Sequence, residues 1–180
     1  MNKRQRTVWK TVLIAAAAIL LLGRLGLPGA ILRRYYPQKY QEEVDAASRE
    51  FCVPSEMIYA VIKAESNFDT QAVSAKGAVG LMQLMPDTYV WLKERLMEPA
   101  AGSVPTDAGE NIRIGAAYLS FLYEKYGNWD TVAAAYNAGH GRVDRWLARG
   151  GDGVPPIAET QKYVRKVRRA RESYRALYAS

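Results

Sequence analysis

One carboxyl group in this chain stands where an apolar side chain is expected. The stretch PSEMIYAVIKAESNFDTQAVSAKGAVGLMQLMPD, Pro54 to Asp87, begins with a residue suited to a helix start. Proline's fixed φ is already helical there, and its missing N–H would have had no partner. Ile58, Val61 and Ile62 then form an apolar stripe, and on a 3.6-residue period its next position is Glu65. Glu56, Tyr59 and Lys63 are predicted to turn elsewhere. A carboxylate carried against an apolar wall is penalised in its charged form, so its pKa rises from about 4.3. The helix ends near Ser66-Asn67, and the negative end of its dipole pushes the same way. Such a group can hold a proton at neutral pH, which is what a general acid needs. The alternative is a surface glutamate on an imprecise stripe.

Helices must position this group. One is expected from Lys39 through Val44 and Ala47 to about Phe51, and the Pro54 helix follows it. In Asp69 to Gln83, Gly77 and Gly80 with small neighbours let backbone approach backbone or ligand closely. A small, irregular β-hairpin is predicted here, the only sheet in the molecule. Pro86 opens a helix with Tyr89, Trp91, Leu92, Leu96 and Met97 as apolar positions, and residues 98–109 form the longest break. NIRIGAAYLSFLYEKYG reads as a long apolar helix at the centre of the bundle, with Gly115, Ala116 and Ala117 admitting a close neighbour. Asp130 is a candidate cap for TVAAAYNAG, which Gly139 ends. The last stretch becomes a long helix with Thr160, Tyr163, Val164, Val167, Tyr174 and Leu177 on one face, and Glu159 at its start, where a negative charge suits the dipole.

The run AESNFDTQAVSAKGAVGLMQLMPDT, followed by AAAYNAGHGRV and then by PPIAETQKYVRKV, resembles the catalytic domain of the soluble lytic transglycosylase family, over roughly Tyr40 to Tyr178. The resemblance implies a mainly α (α+β) fold of the goose-type lysozyme-like class, with the hairpin at the active-site groove. It makes Glu65 the catalytic acid. It also implies that Ser74, Gly80, Met82, Gln83, Tyr136, Asn137 and Glu159 bind substrate. Gln83 would offer an amide and Met82 a soft apolar wall, while Tyr136 would stand over the carboxyl and bond either the acid or the substrate acetamido group. Core packing remains open for Met82 and Tyr136, and capping electrostatics for Glu159.

A conventional glycosidase needs two carboxyl groups about 5 to 9.5 Å apart. The nearest acid to Glu65 in sequence is Asp69, and nothing marks it as a second catalytic member. One acid suffices if the substrate supplies the rest. The family reaction implied is non-hydrolytic cleavage of the β-1,4 bond between N-acetylmuramic acid and N-acetylglucosamine in peptidoglycan, leaving a 1,6-anhydro end. It calls for no metal and no cofactor. The alternatives are a hydrolytic muramidase on the same scaffold and, more distantly, a non-catalytic scaffold that binds the cell wall.

Net charge is +7 over 180 residues, which invites a nucleic-acid reading. Its location argues against one. Residues 1–34 hold seven bases and no acids, leaving 18 of the 25 bases to match 18 acids. Met1 to Lys10 is basic and TVLIAAAAILLLG is apolar, the layout of an export signal. The apolar centre is short for a span of about 20 residues unless Lys10 and Arg24 snorkel. Pro28 spoils the cleavage site that would end at Ala30, so an uncleaved anchor, with the domain outside a single-pass membrane segment, fits better than secretion after cleavage. The expected division is an anchor and short stalk over 1–34 and a catalytic domain over 35–180. The basic face of the last helix, with Glu172 as its lone acid, reads as a solvated face. Cys52, the single cysteine, is expected in the core, and His140, the single histidine, has no ligand cluster around it.

Overall fold

The computed structural model describes residues 2, 5, 8, 9, 12, 27–96, 98 and 106–178. The chain divides into two units, Met1–Pro37 and Gln38–Ser180. In the first, α1 (Leu27–Tyr35) ends with Tyr35 and Tyr36 ring to ring, edge-on at 4.8 Å. The expected membrane-spanning stretch lies, apart from Val8, Trp9 and Val12, outside the described residues. Among the described residues no helix is long and apolar enough to cross a membrane.

The second unit is built from α2 (Gln41–Phe51), α3 (Ser55–Glu65), α4 (Pro86–Arg95), α5 (Ala108–Tyr126), α6 (Trp129–Ala138), α7 (His140–Leu147) and α8 (Ala158–Tyr178). Local chemistry sets their ends. Pro86 occupies the first turn of α4. The Asp107 carboxylate accepts the Glu110 N–H at 2.9 Å to cap α5, and Gly127 closes that helix at φ 64°. Asn128, and not Asp130, caps α6: its side-chain oxygen accepts from the N–H groups of Asp130 and Thr131. Asp130 instead lies in the first turn and pairs with Arg168 of α8.

α5 packs against α2, α3, α4 and α6, while α3 makes its most extensive contact with α8. Covered by α2, α5 and α8, α3 is buried on nearly every side: Met57, Ile58, Tyr59, Ala60, Val61, Ile62 and Ala64 are all in the core. Tyr59, expected to turn away, is therefore 1% exposed. Cys52 departs in the other direction, exposed at the C-cap of α2 in the left-handed region at φ 54°.

The predicted hairpin does not form. Among the described residues the segment after α3 holds two isolated antiparallel bridges, Val73 with Val79 and Val79 with Leu84, and no strand. A ladder needs successive extended residues. Here Gly77, Gly80 and Gln83 all have positive φ, so the chain turns before any extended run can lengthen.

A cluster of charges fastens one side of the bundle. Lys93 of α4, 7% exposed, lies 2.8 Å from both Glu98 and Glu110. Arg113 of α5 grips Glu98 with two nitrogens, at 2.9 and 2.7 Å, and also reaches Glu50 of α2.

Candidate active site

The last turn of α3 delivers Glu65, half-buried, to the seam with α8. There its Oε1 accepts a 2.6 Å hydrogen bond from the hydroxyl of Tyr163, which is 8% exposed. One turn along α8, Lys166 donates from Nζ to the carbonyl of Ala64 at 2.5 Å, binding the C-terminal end of α3. Burial pushes the Glu65 carboxyl above its ordinary 4.5, and the Tyr163 hydroxyl and the Lys166 charge offset part of that rise. This is the direction the apolar stripe implied.

Beyond Glu65 the chain is tied down by side chains bonding to backbone. The Ser66 hydroxyl donates to the carbonyl of Leu81 at 2.8 Å, joining the end of α3 to the loop. Ser74 accepts from the N–H groups of Lys76 and Ala78, closing its own turn. Gly80, at φ 80°, admits Asn111: a Cβ there would lie 2.4 Å from the Asn111 amide nitrogen. Fully buried in α5, Asn111 accepts from the Met82 N–H at 2.8 Å and donates to the Val79 carbonyl at 3.1 Å. Met82 follows inward with 0% exposure, its sulfur lying where a side chain on Gly115 would have to go. Gln83 donates from its amide to the carbonyls of Ala72 and Gly80, both at 3.0 Å.

Tyr136 of α6, expected over the acid, donates its hydroxyl to the Met82 carbonyl at 2.8 Å. Burial first, and then the negative charge of Glu65, hold its pKa well above the usual phenol value. Asn137 accepts from the hydroxyl of Thr160 at 3.1 Å, linking α6 to the start of α8.

An open cleft of about 290 Å³ lies between these elements, with Gln83, Tyr136 and Asn137 in its walls together with Met85 and Tyr118. Three of the expected substrate residues are thus brought to one concavity. Ser74, Gly80 and Met82 shape the loop beside it without lining it, and Glu159 is exposed in the first turn of α8. His140 stacks on Trp91 at 6.2 Å, and its Nδ1 is 3.4 Å from the Tyr118 hydroxyl, behind the cleft. Among the described residues no three His, Cys, Asp or Glu side chains converge as metal ligands.

Sequence reasoning placed Tyr163 on an apolar face and missed it as the partner of Glu65. The usable signal was the phenol itself: a hydroxyl on a buried face needs a polar partner, and the one carboxyl predicted to point inward was Glu65.

The family model described as Transglycosylase SLT domain matches residues 42–153. The soluble lytic murein transglycosylase of Escherichia coli (strain K12) is 31% identical over 147 residues, covering 76% of this chain and 23% of the relative. A putative soluble lytic murein transglycosylase of Haemophilus influenzae is 34% identical over 141 residues, covering 73% of this chain and 24% of the relative. This chain thus spans about a quarter of the length of the curated relatives it matches. Among solved structures, an inactive glutamate-to-glutamine mutant of the lytic transglycosylase Slt from Pseudomonas aeruginosa aligns with a TM-score of 0.73 at 32% identity, over 80% of this chain and 25% of that one. A matched domain over most of the second unit, relatives above 30% identity and a shared mainly helical fold agree: the chain belongs to the transglycosylase SLT domain family.

Proposed function

We propose that this chain is a peptidoglycan lytic transglycosylase in which Glu65 carries the proton. The observation that supports it most directly is the half-buried carboxyl at the end of α3, bonded by Tyr163 and pushed towards its protonated form, beside an open cleft. The relatives' activity, named in their descriptions, supports the substrate, and one of them is inactive once a glutamate becomes glutamine.

The protonated Glu65 donates to the glycosidic oxygen as the N-acetyl oxygen of the muramic acid ring attacks its own anomeric carbon, and the bond to the leaving sugar breaks. Glu65, now a carboxylate, takes the proton of the ring's O6 hydroxyl. O6 then bonds the anomeric carbon and releases the N-acetyl oxygen, so the acid is restored and a 1,6-anhydro end remains. Gln83, Tyr136 and Asn137 hold the sugars from the cleft wall, the loop of Ser74, Gly80 and Met82 sets its lip, and Glu159 reaches the strand from the rim. In this reading residues 1–34 anchor the chain in the membrane and residues 35–180 form an extracytoplasmic catalytic domain.

Mass spectrometry of the muropeptides released from purified peptidoglycan tests the reaction. Products lighter than hydrolytic ones by one water, absent with Glu65→Gln, are expected. Reducing-end products would instead make the protein a muramidase. Retention of the chain in membranes washed with alkaline carbonate tests the anchor, and release into the wash would overturn it.

A further inference from the structure

The opposite end of α3 is also built around a polar group. Tyr59 is 1% exposed, yet its hydroxyl has no hydrogen-bond partner. Its ring is fixed by stacking on Tyr174 at 5.1 Å and 22°. A buried hydroxyl without a partner is costly, and such groups are uncommon in folded chains. This one lines an open cleft of about 250 Å³.

The other walls of that cleft fit one kind of guest. Ser55 and Gln38 offer a hydroxyl and an amide, Arg175 a guanidinium, Glu56 a carboxylate and Tyr178 an aromatic ring. An anion is disfavoured, because Glu56 is in the wall and the charges of Asp45 and Glu43, after burial, help push the Tyr59 pKa up. A cation is disfavoured too. Arg175 is in the wall, Arg171 lies 3.6 Å from Glu56, and the positive end of the α3 dipole is here. A neutral guest remains, one with an acceptor for Tyr59, hydroxyls for both Glu56 and Arg175, and an apolar face for the tyrosines. An N-acetylated sugar has all three, its acetamido carbonyl being the acceptor. The volume lies below the roughly 300–1,000 Å³ of pockets that take drug-sized ligands, so it suits one ring and not a strand.

We propose that the cleft at the N-terminal end of α3, walled by Ser55, Glu56, Tyr59 and Arg175, is a second, non-catalytic site for one N-acetylated sugar ring of a glycan strand. It rests on reading the chain as a peptidoglycan enzyme. The helix between sets it about 15 Å from Glu65, at 1.5 Å per residue. Two contacts on one strand raise the apparent affinity for long strands without changing that for short ones.

Titration of the full chain with di-N-acetylchitobiose, followed by amide chemical shifts, tests the site. Shifts at Ser55, Glu56 and Tyr59 are expected, separate from those at Gln83 and Tyr136. Tyr59→Phe, which keeps the ring, should weaken the first set at least about fivefold and leave the second unchanged; Arg175→Ala should do likewise. Cellobiose, which lacks the acetamido group, should leave Tyr59 unmoved. On turnover, Tyr59→Phe should spare short muropeptide fragments and slow digestion of intact sacculi about threefold. A silent Tyr59 region at saturation, or a Tyr59→Phe chain that melts higher and binds the sugar as before, would overturn the proposal and leave a cleft filled by water. Sacculus cleavage by wild type with no shift at Tyr59 would sink this site alone. Shifts at Tyr59 without any cleavage would sink the enzymatic reading and leave the sugar site standing.

Discussion

Glu65 and Glu98 are the same side chain driven in opposite directions. Glu98 lies between Arg113 and Lys93, whose hydrogen bonds hold its carboxyl down to about 2. Glu65 meets one neutral hydroxyl and a lysine whose ammonium is bonded to a backbone carbonyl, and burial takes it upward. The difference lies in compensation: two cations in the right geometry make a carboxylate into a fastening, while a half-buried one with a single phenol keeps an affinity for protons. Charge that is matched serves the fold, and charge left short of a match is available for chemistry.

The largest way to break this contrast is at Glu65. Glu65→Gln should lower release of muropeptides by at least about 100-fold, with the melting temperature at neutral pH unchanged or raised. A glutamine that keeps wild-type turnover would end the assignment. At the other pole, Lys93→Met leaves Glu98 and Glu110 facing one another, and should cost about 2 kcal/mol in urea unfolding, between the values for exposed and buried pairs. Activity per folded molecule should stay level, and a large loss there would show that the cluster does more than fasten helices.

Acid titration of stability sharpens the contrast by sign. The folded pKa of Glu98 lies below its ordinary value of 4.5, so its contribution is complete above 4.5 and fades as the pH falls towards 2. That of Glu65 lies above 4.5, so its contribution is complete below 4.5 and is lost as the pH rises through the folded pKa. Glu98→Gln should therefore be least stable relative to wild type at neutral pH and converge with it near pH 2, and Glu65→Gln should gain on wild type as the pH rises. Parallel curves for the two variants would contradict the opposed shifts.

The smallest effect is expected at Tyr163. Its hydroxyl favours the charged carboxylate, so Tyr163→Phe should raise the Glu65 pKa further and move the alkaline limb of the activity profile to higher pH, with kcat changed less than about tenfold. A limb that stays in place would mean that the hydrogen bond has no hold on the acid.

What could be read without coordinates was local. The stripe ending in Glu65, Pro86 at the start of α4 and Gly139 at the end of α6 depend on residues a turn or two apart, and the structure places them accordingly. Errors came where a distant element decides. Tyr163 reaches Glu65 across 98 residues, a contact that no period on either helix encodes. Tyr59 is buried because α8 covers the side of α3 that its own pattern left polar. Asp130 and Asn128 were both plausible caps, and pairing with Arg168 draws the aspartate away. The hairpin failed for a different reason: the glycines that admit Asn111 and turn the chain also break up the extended run a ladder requires.

Asn111 leaves one consequence for how the cleft opens and closes in time. A single amide from α5 holds both the Val79 carbonyl and the Met82 N–H, and the Met82 carbonyl in turn holds Tyr136. The loop therefore has no cooperative unit of its own. Its amides at Val79, Met82 and Leu84 should exchange with deuterium at the slow rate of α5, not at that of a surface loop. The lip beside Glu65 then behaves as an outgrowth of the most connected helix in the bundle, and substrate must fit a rim that keeps its shape.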